Sequence, residues 1–241
     1  MKISILGVPF ERCTRTEALD YALRCLQGQG NHLVFTPNPE MVMRARKDPA
    51  FMHILQQGDM VLPDGTGIVL ASRLHKESLP QRVTGCDLTQ AILAAAPRSI
   101  SVYIFGAAPG VAEKAKANIE ATYPNVTVVG HHHGYFSEKE EKLILKEIQQ
   151  KEPDLLLIGL SMGKQEAWAH AHKHLPVKLT MCVGGTIDVL ADVVPRAPKA
   201  FRAVGLEWLF RLLRQPARIV RMGALPAFAW LAVREALTTS R

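Results

Sequence analysis

The sequence predicts an α/β fold, a mainly parallel sheet flanked by helices, followed by a small, basic, helical C-terminal appendage. Three observations predict it. Six short β-rich runs alternate with helical stretches, which is the pattern of βαβ units. The chain has 241 residues, 48% of them hydrophobic and 21% charged, enough for one large domain with an addition and unlike a disordered or fibrous chain. Its net charge of +7 is confined to the last fifth of the chain: residues 195–241 hold nine Lys or Arg and two acids, and the other 20 bases balance 20 acids.

At the start, Met1 to Gly7 holds only a short apolar run. It lacks the long apolar region and small-residue cleavage site of a signal peptide. The predicted strands are Leu33–Thr36, Met60–Leu62, Ser101–Phe105, Val126–Val129, Leu155–Ile158 and Leu179–Val183. Each is short, rich in β-branched or large apolar residues, and bounded by Gly, Pro, Asn or Asp. Helical patterns cover about 39–56, 65–75, 86–95, 110–122, 138–151 and 164–174. No repeat of solenoid length is present. In parallel sheets, ligands sit beyond the carboxyl ends of the strands. Chemistry is therefore expected in the loops Thr36–Asn38, Pro63–Thr66, Gly106–Gly110, Gly159–Gly163 and Gly184–Thr186.

The character changes near Pro195, so residues 1–194 are expected to form the core and 195–241 the appendage. Leu206 to Met222 is helical in pattern, with Pro216 as a break or kink. Arg211, Arg214, Arg218 and Arg221 fall within an arc of about 80° on such a helix. This basic stripe beside Leu209, Leu212, Leu213, Ile219 and Val220 fits either an interfacial element contacting anionic headgroups or a lipid diphosphate, or the solvated face of a terminal helix. An exposed apolar surface there also suits self-association into a homo-oligomer. The longest mostly apolar stretch, Met222 to Val233, is interrupted by Gly223 and Pro226 and is short of the ~20 residues that span a membrane. The chain is thus expected neither to span a membrane nor to be exported. Cys13, Cys25, Cys86 and Cys182 contain no C-x-x-C pair and are expected to be free, buried thiols of a reducing cytosol.

Several motifs admit more than one role. Gly106-Ala-Ala-Pro-Gly110 lies between a strand and a helix, where free N–H groups bind a diphosphate or simply make a tight turn. Gly159-Leu-Ser161-Met-Gly163 matches the G-x-S-x-G of a hydrolase elbow, but no histidine follows in the required order: His170 and His172 lie in the next helix and His174 is the last in the chain. His131-His132-His133 is expected to be a polar loop, since adjacent residues on an extended segment point apart and rarely close on one metal ion. Asp64, at a strand end among glycines, fits both a general base and a helix N-cap. A nucleic-acid-binding module resting on the basic tail is the reading from another class; no helix-turn-helix, zinc motif or aromatic interleaving supports it.

Taken together, Thr36-Pro-Asn38-Pro-Glu40, Leu62-Pro-Asp64-Gly-Thr66-Gly67, Arg82-Val-Thr-Gly85, Gly130-His-His-His-Gly134-Tyr-Phe136, Lys164-Gln165-Glu166-Ala-Trp168, Val183-Gly184-Gly185-Thr-Ile-Asp188, Arg196-Ala-Pro198 and Gly205-Leu-Glu207-Trp208 followed by Arg211 and Arg214 resemble the WecG/TagA/CpsF glycosyltransferases over nearly the whole chain. The resemblance implies a Rossmann-like transferase core. It implies inverting transfer of N-acetylmannosamine from a UDP-sugar to N-acetylglucosamine on undecaprenyl diphosphate, for wall teichoic acid or a related surface polymer. UDP-N-acetylmannosaminuronic acid is the alternative donor. Asp64 is the implied base. Thr36, Asn38, Thr66, Arg82, Gln165 and Glu166 fall where substrate contacts are expected, and Gly106, Gly110, Gly184 and Gly185 where the nucleotide is expected. The appendage arginines Arg211, Arg214, Arg218 and Arg221 would hold diphosphates at the inner face of the membrane, placing a cytoplasmic, peripheral enzyme there. No D-x-D occurs, in keeping with transfer that needs no metal or other cofactor. The chain departs from the family twice, with Gly163 where a proline usually precedes Lys-Gln-Glu and Asp192 where a glycine is usual.

Overall fold

The computed structural model describes residues 1–74, 78–96, 99–198, 201, 207–214 and 223–239. It opens with a hairpin. β1 (Lys2–Ile5) and β2 (Val8–Glu11) pair antiparallel, with Ile5 opposite Val8. Leu6 and Gly7 turn between them at positive φ, 51° and 88°, as a two-residue hairpin turn requires. α1 (Arg15–Gln27) follows, opened by a capping box between Thr14 and Glu17. None of these three elements is among those the sequence pattern predicts. The strands are only four residues long, but the Thr-x-x-Glu signature at 14–17 is a recognisable helix start.

β3 (His32–Phe35), β4 (Met60–Val61), β5 (Ile100–Gly106), β6 (Val126–His132), β7 (Leu155–Gly159) and β8 (Leu179–Cys182) form one sheet in the order β4-β3-β8-β7-β5-β6. Every neighbouring pair is parallel, so all six carboxyl ends lie along one edge. These are the six expected runs. β6 is longer than expected: His131 and His132 are strand residues paired with Ile104 and Phe105 beyond a bulge, not members of a polar loop.

Both faces of the sheet are covered, which explains why its strands are continuously apolar rather than alternating. Val102, Ile104, Leu155, Leu157, Leu179 and Met181 point into one core layer with α1, α5 (Gly85–Ala95), α6 (Val111–Thr122) and Ile187. Tyr103, Phe105, Leu156, Ile158 and Cys182 point into the other, with the hairpin, α2 (Pro39–Ala45), α3 (Pro49–Gln56), α4 (Thr66–Ser72), α7 (Glu138–Lys151) and α8 (Lys164–Ala171). The single helix expected over 39–56 is two. Pro49 has no N–H to continue α2 and begins α3, with Asp48 accepting the Phe51 N–H at 3.1 Å as its cap. A short α9 (Thr186–Leu190) follows β8.

α10 (Glu207–Arg214) falls within the helix expected over 206–222; residues 215–222 lie outside the described residues. α11 (Ala224–Thr239) is an addition to the expected elements. It packs on α2 and α4 and buries Phe228, Ala232 and Ala236, four residues apart on one face. Its Glu235 carboxylate accepts the Leu6 N–H at 2.9 and 3.1 Å. No described helix is long and apolar enough to cross a membrane. The four cysteines are free and buried, as expected.

Candidate active site

The carboxyl edge of the sheet carries two adjoining groups of loops. On one side, β5 and β7 end in facing glycines, Gly106 and Gly159. Gly106 stands at φ 142°, and a Cβ on it would lie 2.4 Å from the Gly159 backbone. No side chain fits there, so the two strands end in bare, closely spaced backbone. Ala107 continues at φ 60°, donates its N–H to Gly159 O at 2.9 Å and accepts from Gly134 N–H at 2.8 Å. A cleft of about 850 Å³ opens above these loops, lined by Ala107, Ala108, Tyr135, Ser161, Lys164, Gly184, Gly185 and Asp188 among others. Tyr135 is 72% exposed. Lys164 is exposed, with Nζ 4.1 Å from the centre of the Phe136 ring, a cation–π contact that keeps its charge at the rim.

Among the expected nucleotide positions, Gly184 and Gly185 line this cleft and Gly106 shapes its floor through Ala107. Gly110 caps α6 in the left-handed conformation and is not among the lining residues. Sequence reasoning leaves the cleft residues Tyr135, Lys164 and Asp188 without a role. Their positions inside the recognisable segments 130–136, 164–168 and 183–188 are the available signal.

On the other side are the loops after β3 and β4. Thr36 donates to Cys182 O at 3.4 Å and lies against Gly85, the first residue of α5. The Asn38 side chain caps α2 by accepting the Met41 N–H at 3.0 Å. Asp64 is held by its N–H to Pro37 O at 3.2 Å, and Val83 N–H bonds Pro63 O at 3.0 Å. These links bring Arg82 to Asp64, with Nε 3.6 Å from Oδ1 and side chains 19% and 32% exposed. Of the two roles open to Asp64, the structure disfavours the cap: Gly65 occupies that position, α4 has no side-chain cap, and Thr66 is its first residue. A partly exposed carboxylate beside a guanidinium can take a proton from a bound hydroxyl.

A buried relay joins the loops after β7 and β8. Gly184 N–H donates to Gln165 Oε1 at 3.1 Å, Gln165 Nε2 donates to Glu166 Oε1 at 2.6 Å, and Gly163 N–H donates to Glu166 Oε2 at 2.7 Å. Gln165 and Glu166 are 6% and 0% exposed. Both are expected among substrate contacts, yet in this structure they face loops rather than solvent. Burial pushes the Glu166 carboxyl above the usual range, against the pull of these hydrogen bonds and Arg44. Gly163 stands at φ 84°, and Arg44 Nη1 donates to the neighbouring Met162 O at 2.6 Å. Asp192, where the resemblance implies a glycine, also has positive φ, 53°, a conformation that glycine adopts without strain.

Arg196 reaches back from residue 196 to Asp87 and Gln90 on α5. Burial opposes ionisation of Asp87, but the Thr84 hydroxyl and Arg196 outweigh it and hold the carboxyl below its usual range. The side chains of Arg211 and Arg214, and Arg218 and Arg221 entirely, lie outside the described residues. Among the described residues, no three His, Cys, Asp or Glu side chains converge as a metal-holding group.

A family model described as "Glycosyl transferase WecG/TagA/CpsF family" matches residues 3–241. Relatives from Staphylococcus aureus strains MRSA252, MW2 and NCTC 8325 are each named N-acetylglucosaminyldiphosphoundecaprenol N-acetyl-beta-D-mannosaminyltransferase. Each is 33% identical over 233 residues, which cover 95% of this chain and 91% of the relative.

Proposed function

This chain belongs to the WecG/TagA/CpsF family of glycosyltransferases, and on that premise we propose that it transfers N-acetylmannosamine from UDP to N-acetylglucosamine carried on a polyprenyl diphosphate. The observation that carries this reading is a single sheet edge holding both a roomy, backbone-floored cleft with Lys164 at its rim and, beside it, Asp64 paired with Arg82.

The cleft suits the donor nucleotide. Its glycine loops bring backbone close to a diphosphate, and Lys164 adds a positive charge. Thr36, Asp64 and Arg82 suit the sugars at the junction of the two groups. The acceptor hydroxyl attacks the anomeric carbon from the face opposite UDP. Asp64 takes the hydroxyl proton as the new C–O bond forms. The bond to the UDP oxygen breaks with its electron pair staying on UDP, and the anomeric centre inverts. Positive groups stabilise the departing diphosphate in place of a metal ion. The appendage arginines would meet the lipid diphosphate at the cytoplasmic membrane face.

The test is transfer from radiolabelled UDP-N-acetylmannosamine to a polyprenyl-diphosphate N-acetylglucosamine acceptor, with chelator present. Wild type should make product, and Asp64→Asn should fold with an unchanged thermal midpoint while losing roughly 10²-fold or more in rate. Normal transfer by Asp64→Asn would remove Asp64 from the mechanism. Activity lost to the chelator and restored by a divalent ion would overturn metal independence.

A further inference from the structure

We propose that Glu166 is a positioning residue: its buried carboxylate, acting through Gly163 N–H and the Gln165 amide, fixes the two loops that wall the donor cleft. The proposal rests on the reading of that cleft as the nucleotide site.

Donor and acceptor directions dictate the chemistry of the relay. The loop after β7 presents Ser161 to the cleft and the loop after β8 presents Gly184 and Gly185. Two backbone donors, Gly163 N–H and Gly184 N–H, lie at opposite ends of the relay. A backbone N–H can only donate. Gly184 N–H therefore demands an oxygen from Gln165, which turns the Gln165 NH₂ toward Glu166. Glu166 then meets two donors at once, Gly163 N–H and Gln165 Nε2. Only a side chain with two acceptor oxygens satisfies both, and a carboxylate is that group. With Glu166 fully buried and Gln165 nearly so, water cannot repair a mismatch between these two side chains or at Gly163 N–H.

Glu166→Gln keeps the shape and breaks the chain of donors. If its oxygen faces Gly163, its NH₂ faces the Gln165 NH₂. If Gln165 flips to accept, its NH₂ faces Gly184 N–H. Gln165→Glu alone sets two carboxylates side by side. The swapped pair, Gln165→Glu with Glu166→Gln, satisfies both loop donors and the contact between the two side chains. The new amide at position 166 would accept from Gly163 N–H and donate to position 165. The new carboxylate at position 165 would accept from both that amide and Gly184 N–H.

The experiment compares wild type, the two single variants and the swapped pair by residue-resolved amide hydrogen exchange and by calorimetric titration with UDP. Each single variant should loosen the two loops, with faster exchange at the 163 and 184 amides, and bind UDP about tenfold more weakly, the size expected for a buried donor facing a donor in Glu166→Gln or an acceptor facing an acceptor in Gln165→Glu. The swapped pair should restore protection, thermal midpoint and most of the UDP affinity. Unchanged protection in Glu166→Gln would overturn the proposal, as would protection lost in the single variants and not regained in the swapped pair. Protection that follows this pattern with unchanged UDP affinity would overturn the link to the cleft. Failure of the wild type to bind UDP would instead overturn the donor reading, and the exchange pattern would still decide whether Glu166 fixes the loops.

Discussion

At Gly163, where the resemblance implies a proline, the structure gives the residue a physical meaning. Its φ of 84° is one that proline, locked near −65°, cannot adopt. Its N–H, which proline lacks, is one of the two donors on Glu166. Gly163→Pro is therefore expected to lower stability by about 3 kcal/mol and to loosen the loop bearing Ser161. A thermal midpoint within about a degree of wild type would contradict this, since a loss of that size moves the midpoint by several degrees. Asp64 is legible as a chemical candidate because a carboxylate among glycines at a strand end has few roles. Which of its two roles applies is not legible, since capping depends on where α4 begins, and that is set by the Pro63 and Pro37 backbone contacts. Gln165 and Glu166 are legible as important but not as buried. Their exposure is decided by the β8 loop, which is distant in sequence.

At the scale of elements, periodicity locates the strands well because a two-sided sheet needs continuous apolar runs, and Leu155–Ile158 is one. The same signal cannot separate α2 from α3, since the charged run Arg46 to Asp48 could equally be the outer face of one helix, while the Asp48-Pro49 pair ends one helix and starts another. α11 is hidden for a related reason. Its apolar segment, with Gly223 and Pro226 at the start, looks like an interrupted run, although proline is harmless in a first helical turn. Phe228 is 3% exposed within the core layer that includes α4, and its ring lies against Gly67 in the segment that follows Asp64. Phe228→Ala should cost about 3–5 kcal/mol, the range for a buried aromatic truncation, and should lower transfer as well as the thermal midpoint. A drop in midpoint with full activity at low temperature would show that α11 holds the fold without supporting the site.

For the molecule as a whole, the sequence discloses the charge imbalance but not the order of the strands. Local patterns carry no information on which strands become neighbours, so the pairing of β8 with both β3 and β7, which brings Thr36, Gln165 and Gly184 together, emerges only in three dimensions. The proposed partner of the basic tail is an anionic membrane surface. Replacing Arg211, Arg214, Arg218 and Arg221 by Gln should weaken binding to phosphatidylglycerol vesicles by roughly 10²–10³-fold at low salt, since each basic residue contributes about 1 kcal/mol near such a surface. The loss should shrink as salt rises. Equal vesicle binding by both proteins would assign those arginines another task. The hydrogen bond from Leu6 to Glu235 spans 229 positions and so bears on how the protein is made. A ribosome adding ~5–20 residues per second needs on the order of 10–50 s to travel from one to the other. Throughout that interval the hairpin turn and the groove between α2 and α4 await a helix that has not yet been synthesised. The nascent chain thus carries exposed apolar surface until α11 emerges, and a chaperone acting at the tunnel exit has its clearest target there.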